Sequence, residues 1–258
     1  MMKILKKSYV GLVLLFLYAP ILLLIVFSFN KSKTMGYWTG FTLDWYIQLF
    51  QNDSIMQSLY ITVSIAFVSA VISTVMGTIA AIGIYDMKKL PRNLFLNISY
   101  LPILNPDIVT GISLMILFLF MNMKMGWMTM LIAHTSFNVP YVLFSVLPKL
   151  RQMNEHMYEA ALDLGATPMY ALRRVVLPEI MPGIITGALL SFTLSLDDFV
   201  ISLFTGGNVQ NLSVMIYSMT KRGINPQINA LSAIMFVCIL TLLLIVNKRQ
   251  SRQPDTGL

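Results

Sequence analysis

The sequence predicts an all-α, polytopic membrane protein with six transmembrane helices. Hydrophobic residues make up 57% of its 258 residues and charged residues 11%, whereas a soluble domain has roughly 25% charged residues. A spanning helix needs about 20 mainly apolar residues. Six stretches qualify, at residues 9–29, 59–85, 94–121, 126–148, 180–204 and 229–247.

The basic residues predict how these helices are oriented. Most of the 18 Lys and Arg residues fall in the connections on one side, namely Lys3, Lys6, Lys7, Lys88, Lys89, Arg92, Lys149, Arg151, Arg173, Arg174, Lys248, Arg249 and Arg252. The other side receives only Lys31, Lys33, Lys124, Lys221 and Arg222. The positive-inside tendency therefore puts both termini in the cytoplasm, and it explains the net charge of +7 without nucleic acid as a partner.

Within the stretches, the sequence suggests how the helices pack. The first stretch is too long for a secretory signal and lacks a small-residue cleavage site, so we expect it to remain as the first helix. Small residues recur every fourth position in the second stretch, at Ser69, Ser73, Gly77 and Ala81, and allow another helix to approach closely. Prolines predict that the third and fourth stretches are kinked or broken, at Pro102, Pro106 and Pro140. The last stretch holds Cys238, the only cysteine, which excludes disulfides within one chain.

The connection between the fourth and fifth stretches is long enough for two short helices. The first is predicted from about Glu155 to Leu164 and ends at Gly165. The second begins with Thr167 as N-cap and Pro168 at the first helical position, and runs toward Val176 before Pro178. The pattern predicts a helix–Gly–helix elbow, and an amphipathic loop on the lipid surface is the alternative.

This elbow carries the motif of a known family. Its residues fit the pattern EAA-x3-G-x9-I-x-LP, with Val175 in place of the usual Ile, at Glu159, Ala160, Ala161, Gly165, Leu177 and Pro178. The chain therefore resembles the ABC importer permeases that contain an EAA loop. The resemblance implies that the loop, at about 151–182, is a cytoplasmic coupling element that docks on an ATPase subunit.

The resemblance extends over nearly the whole chain. The segments NPDIVTGISLMILFLF, LSFTLSLDDFVIS and INPQINALSAI are similar to the second permease subunits of bacterial spermidine/putrescine importers. This similarity implies a type I ABC importer fold over a single transmembrane domain, residues 1–258, in the bacterial inner membrane. It also implies three kinds of protein partner: a homologous second permease, a dimer of ATP-binding cassette subunits and a periplasmic polyamine-binding protein.

The sequence contains no sign of an enzyme. It has no G-x-x-x-x-G-K-[ST] phosphate loop, so ATP and Mg are expected to bind to the partner ATPase and no cofactor to this chain. His134 and His156 are too few and too far apart to predict a metal site, and the Met-rich turn MNMKMGWMTM is typical of flexible packing. A nucleophile with a base is likewise missing.

Two adjacent acids in LSLDDFV, Asp197 and Asp198, are the first candidates for a substrate pathway. Well inside the six stretches, the only formal charges are these two and Asp107, and no Lys or Arg accompanies them. Intramembrane acids mark substrate pathways, and uncompensated carboxylates repel anions. The sequence therefore favours a cationic substrate such as a diamine or triamine, whose charge lets both acids stay ionised. The alternative is an outer helix end with solvated carboxylates.

Three further residues are candidates for substrate contact. Asn105 and Pro106 precede Asp107 in the pattern of a helix start, so a structural role for this acid stands beside a substrate contact. Trp45 and Asp44 lie in the aromatic first connection, where an ammonium over an aromatic face gains about 0.5–2 kcal/mol. Aromatic residues anchored at the membrane interface explain the same pattern.

Together these observations predict a permease subunit of an ATP-driven polyamine importer that works by alternating access. One alternative is a permease for another small solute, such as a cationic amino acid or an iron complex. An alternative of another class is a self-powered cation channel or proton-coupled carrier, which inverted repeats would favour; we find none in the sequence.

Overall fold

The computed structural model describes residues 2–33, 37–154, 156–222 and 226–250, and it confirms the all-α prediction. Over this part of the chain the helices are α1 (Met2–Phe27), α2 (Asp44–Phe50), α3 (Asp53–Tyr85), α4 (Lys89–Leu104), α5 (Asp107–Phe120), α6 (Trp127–Gln152), α7 (His156–Asp163), α8 (Pro168–Ala171), α9 (Leu177–Asp197), α10 (Val200–Thr205), α11 (Leu212–Arg222) and α12 (Pro226–Gln250). They form two compact units, the first from Met1–Met56 with Ile216–Leu258 and the second from Gln57–Met215.

Four helical segments within the described residues are long and apolar enough to cross a membrane, namely Ser8–Phe27, Asp53–Tyr85, Trp127–Gln152 and Pro168–Asp197. A fifth span results if α4 and α5 cross together. The predicted sixth stretch lies in α12, where the described apolar segment Pro226–Val237 is too short to cross alone. The count of six therefore stays a prediction.

The third predicted stretch is broken, and the bend between α4 and α5 is 104°. Asn105 and Pro106 are both extended, with ψ of 138° and 137°. The break follows from Pro106, because a residue before proline is pushed out of the α region. The fourth stretch behaves differently, since α6 continues through Pro140 and Pro148 as one helix.

The fifth predicted stretch, 180–204, is wrong at both ends. The helix does not stop before Pro178 but continues from the elbow into α9 through a π-turn, Leu172–Val176. In this wider turn the N–H of Leu177 bonds to the carbonyl of Leu172. This spacing accommodates Pro178, which has no N–H and whose ring would clash with the carbonyl four residues earlier. At the other end, α9 stops at Asp197.

Small residues bring α3, α6 and α9 of the second unit into close contact along what we call the three-helix seam. The small residues are four apart on each of two helices: Ser69, Ser73 and Gly77 on α3, and Gly187, Ser191 and Ser195 on α9. They meet each other or contact His134 and Val142 on α6. The hydroxyls of Ser73 and Ser191 are 2.6 Å apart, and those of Ser69 and Ser195 3.1 Å. The small-residue stripe of α3 therefore faces helices of its own chain.

At the end of the seam nearest the elbow, the three helices pack around the main apolar core of the second unit. Ala81, Val142, Val146 and Ile180 are fully or almost fully buried there. Leu177 of the EAA motif packs against this cluster. The core thus lies where α3, α6 and the start of α9 meet, next to the elbow.

In the first unit, the segment that follows α1 is connected to α2 by hydrogen bonds and ring contacts. The Trp45 indole donates to the Asn30 carbonyl at 2.7 Å. The Tyr46 hydroxyl is 2.7 Å from Ser28 Oγ, and the ring of Phe29 stacks on that of Phe41. Asn52 donates to Gln227 at the start of α12. These contacts hold α2 against the ends of α1 and α12.

Adding one methyl group to the seam at Gly77 should destabilise the protein. A Cβ at Gly77 would lie 2.6 Å from Val142 Cβ and 2.9 Å from the Val139 carbonyl oxygen, so the helices must separate. We expect Gly77→Ala to cost about 1–3 kcal/mol, as overpacking does. Gly83→Ala on the same helix is the control, because no atom lies within 4 Å of its Cβ. Thermal unfolding in detergent measures both, and equal melting temperatures would contradict the packing described here.

Candidate functional site

The elbow has the predicted helix–Gly–helix form, although its second helix continues into α9. α7 ends in a Schellman motif, in which Gly165 N–H bonds to the Leu162 carbonyl at 2.9 Å and Ala166 N–H to the Ala161 carbonyl at 3.0 Å. Gly165 has a φ of +88°, which glycine adopts readily. Thr167 caps α8 by accepting from Tyr170 N–H at 3.4 Å. Glu155, where the first helix was predicted to begin, lies outside the described residues.

The EAA residues lie at the surface of this elbow. Glu159, Ala160, Gly165 and Pro178 are exposed, while Ala161 is half-buried. Glu159 is 3.4 Å from His156 Nδ1, and both side chains are largely exposed. The surface carries large apolar side chains, with Leu164 89% and Met169 59% exposed. An exposed apolar patch of this kind is typical of an interaction site.

A shallow concavity of about 470 Å³ follows the turn of the elbow. It is lined by Ala161, Leu164, Gly165, Ala166, Thr167 and Tyr170. The small side chains leave room for another surface to approach the backbone at Gly165, where no atom lies within 4 Å of the Cβ position. The shape and the exposed apolar side chains suit a protein contact.

The second site is the break between α9 and α10, at Asp198 and Phe199. The Asp198 carboxylate accepts hydrogen bonds from Ile201 N at 3.2 Å, Ser202 N at 2.7 Å and Ser202 Oγ at 2.7 Å. It therefore satisfies the free N–H groups at the start of α10. Its side chain is only 7% exposed. Asp198 ends a helix, as one alternative held, but its carboxylate is buried rather than solvated.

A histidine accompanies the acids. His134 Nε2 lies 3.3 Å from Asp198 Oδ2 and 2.9 Å from Ser202 Oγ. Its Nδ1 makes a short hydrogen bond with Ser195 Oγ. Both ring nitrogens of this buried histidine therefore have hydrogen-bond partners. The pairing with Asp198 was not predicted from the sequence, although an ionisable residue inside a membrane usually pairs with another.

Asp197 differs from its neighbour in exposure and in hydrogen bonding. Its residue surface is exposed, and in the part of the chain that the structure describes its carboxylate has no hydrogen bond or ion pair. The two adjacent acids therefore have separate environments, one buried in a hydrogen-bond network and the other free. Asp197 can offer its full charge to a cation, whereas Asp198 already accepts several hydrogen bonds.

The other candidate residues are spread over both units. Asp107 is exposed in the first turn of α5; the N-cap is Pro106 rather than Asn105, which instead caps the end of α4. Trp45 is buried in the first unit, and its indole N–H is bonded to the Asn30 carbonyl. Asp44 is exposed in the first turn of α2. Asp107 therefore belongs to the same unit as Asp197, whereas Trp45 and Asp44 belong to the first unit.

No cluster of three or more potential metal-ligating side chains occurs among the described residues. The two sites are thus an exposed apolar elbow and a polar helix break, joined by the continuous helix that runs from α8 through the π-turn to α9. The exposed apolar side chains of the elbow suit a contact with another protein, and the exposed Asp197 carboxylate is available to a cation.

The chain belongs to the family of binding-protein-dependent transport system inner membrane components, whose pattern matches residues 73–248. It is thus a permease subunit of an ABC transporter, and the family is one of inner-membrane proteins. Permease subunits of this kind are not themselves catalytic. Its fold is that of the type I ABC importer permeases. It superposes with a TM-score of 0.75 on a chain of the bacterial alginate ABC transporter, crystallised with an alginate pentasaccharide-bound periplasmic protein, at 18% identity over 100% of this chain and 96% of that one.

Among curated proteins, the spermidine/putrescine transport system permease protein PotC of Escherichia coli K12 is 37% identical over 258 residues, covering 99% of this chain and 98% of the relative. The putrescine transport system permease protein PotI of the same strain is 38% identical over 227 residues, 85% of this chain and 81% of the relative. The resemblance found in the sequence is therefore confirmed.

Removing the Asp198 carboxylate should destabilise the fold, whereas removing that of Asp197 should not. Asp198→Ala loses the cap of α10 and leaves buried donors without partners, which costs about 1–3 kcal/mol. Asp197→Ala is the matched control and should stay within about 0.5 kcal/mol of the parent, as surface changes do. Thermal unfolding of the purified chain in detergent compares them. Equal loss in both variants would contradict the separate environments of the two acids.

Proposed function

We propose that this chain is a permease subunit of an ATP-driven importer of polyamines, and that it forms half of the translocation path. The observation that carries the proposal is the 37% identity, over 99% of the chain, with a permease named for spermidine and putrescine transport. Residues 1–258 then act as one transmembrane domain. Its assembly partners are a homologous permease, a dimer of ATPase subunits that bind ATP and Mg, and a periplasmic polyamine-binding protein.

The proposed orientation places both termini and the elbow in the cytoplasm. The basic connections support it through the positive-inside tendency. In this orientation, the elbow reaches the ATPase subunits, and the C-terminal end of α9 with Asp197 points toward the periplasm. Closure of the ATPase dimer moves the elbow, and α9 passes the displacement toward the path, in the manner of alternating access.

The charge of the proposed path fits a polyamine. Asp197 is an exposed carboxylate without a partner among the described residues, and Asp107 is a second exposed acid in the same unit. Two separated carboxylates suit a substrate that carries several separated ammonium groups. Asp44 and Trp45 stay candidates for substrate contact, although the Trp45 indole is buried and supports its own unit.

Uptake by cells tests the substrate class. We expect cells that lack only this chain to lose uptake of radiolabelled spermidine or putrescine and to recover it when the chain is restored. Unlabelled diamines and triamines should compete for uptake, whereas cationic amino acids should not. Competition by amino acids but not by amines would contradict the polyamine assignment while leaving the importer assignment intact.

Charge at Asp197 should control uptake. Asp197→Asn keeps the size of the side chain but removes its charge, and losing a hydrogen bond to a charged group costs roughly 1.5–3 kcal/mol. At about 1.4 kcal/mol per tenfold, the initial rate should fall by roughly tenfold to a hundredfold. Asp197→Glu, which keeps the charge, is the control and should retain more uptake. Unchanged uptake in Asp197→Asn, with the complex intact, would remove Asp197 from the path.

The elbow variants test docking. Gly165→Val should abolish transport and the recovery of the ATPase from detergent, because a β-branched residue strongly disfavours a φ of +88°. Gly165→Asn is the control at the same position, since Asn tolerates this backbone region. Glu159→Lys should also weaken docking by reversing the charge, and Glu159→Gln should weaken it less. Normal recovery of the ATPase with Gly165→Val would overturn the docking assignment.

A further inference from the structure

His134 is a buried titratable side chain to which the proposed transport mechanism gives no part. Its side chain is 1% exposed. Both ring nitrogens have partners, because Nδ1 contacts Ser195 Oγ on α9 while Nε2 contacts Ser202 Oγ on α10. One imidazole on α6 therefore binds residues on both sides of the α9–α10 break.

The hydrogen atoms available at Ser202 show which nitrogen is protonated. Ser202 has one hydroxyl proton and donates it to Asp198 Oδ2 at 2.7 Å. The Asn211 amide nitrogen, which can only donate, also lies 2.8 Å from Ser202 Oγ. The contact between His134 Nε2 and Ser202 Oγ is therefore a hydrogen bond only if Nε2 carries the proton. The same Nε2–H also faces the Asp198 carboxylate, 3.3 Å away. His134 is therefore a hydrogen-bond donor to both Ser202 and Asp198.

The remaining contacts of the break hold its backbone. The Asp198 carbonyl accepts from Asn211 Nδ2 at 2.7 Å. α10 packs closely against α5, where a Cβ at Gly111 would lie 3.0 Å from the Phe204 ring. The break is thus held from α6, from α5 and from the segment that leads into α11. Asp197 directly precedes this break, so the position of the break determines the direction of the Asp197 side chain.

We propose that His134 is a positioning residue for the transported cation. By holding Asp198 in the α9–α10 break, it leaves Asp197 as the one carboxylate of the pair that meets the substrate. This inference rests on the proposed function, because it assigns different roles to two acids of the proposed path. Without His134, Asp198 and Ser202 lose the imidazole that ties them to α6, although Thr129 on α6 still donates to the Thr205 carbonyl of α10 at 2.7 Å. Asp198 then becomes a second, competing carboxylate.

The test is the concentration dependence of spermidine uptake by cells that contain the whole importer. We expect His134→Ala to raise the KM for uptake by about tenfold, the effect of losing a hydrogen bond to a charged group, while the ATPase still co-purifies. His134→Gln should restore most of the affinity, because its amide retains a donor near the position of Nε2. Thr135→Val is the matched control, since the neighbouring Thr135 hydroxyl is buried and has no hydrogen-bond partner among the described residues; its KM should not change.

A double-variant cycle tests whether His134 acts through Asp198. His134→Ala combined with Asp198→Asn should be no worse than the poorer single variant, because both changes remove the same attachment. A parent KM in His134→Ala, additive losses in the double variant, or no recovery in His134→Gln would overturn the proposal. If His134→Ala yields no assembled importer, His134→Phe takes its place, because it fills the space but offers no hydrogen-bond donor. A parent KM in His134→Phe would then overturn the proposal.

Failure of this inference is distinguishable from failure of the proposed function. Parent uptake by Asp197→Asn removes the acid from the path, and the positioning role ends with it. Impaired uptake by Asp197→Asn together with a parent KM in His134→Ala overturns the positioning role alone and leaves the polyamine path in place.

Discussion

The close approach of α3, α6 and α9 is the constraint on which the second unit depends. Gly77 and Gly187 both lie against Val142, at distances that leave no space for a larger side chain without movement. At this separation the serine hydroxyls of α3 and α9 meet directly. Going along the seam, the contacts change from apolar around Val142 to polar around His134. The same packing therefore forms both the apolar core near the elbow and the hydrogen-bond network at the helix break.

The polar groups at the helix-break end of this seam can be buried because they satisfy one another, whereas the buried Asn138 amide on α6 has no hydrogen-bond partner among the described residues. An unpaired polar group in an apolar interior costs several kcal/mol, whereas a complete network adds rigidity. His134, Ser195, Ser202 and Asp198 form such a network. It leaves the adjacent Asp197 outside, which explains how two neighbouring acids of one sequence motif acquire different properties. The distinction arises from helix geometry, since successive residues at a helix end point in different directions.

The sequence predicts features that depend on local chemistry and misses those that depend on distant contacts. The Gly165 stop, the Thr167 cap and the break at Pro106 follow from residues next to each other, and all three occur. Pro178 was misjudged as a helix end because a π-turn accommodates it, and no simple pattern predicts such a turn. The pairing of Asp198 with His134 joins residues 64 positions apart. Only the register of three helices brings them together, and a single sequence does not contain that register.

The π-turn has a mechanical consequence. Because Pro168–Asp197 forms 30 residues of uninterrupted helix, about 45 Å at 1.5 Å per residue, no flexible joint separates the elbow from the acid at its far end. A rigid rod transmits rotation about its axis as well as translation along it. In the proposed mechanism, a push on the elbow can therefore turn the Asp197 carboxylate away from one side of the proposed path. The two ends of such a helix therefore move at the same time.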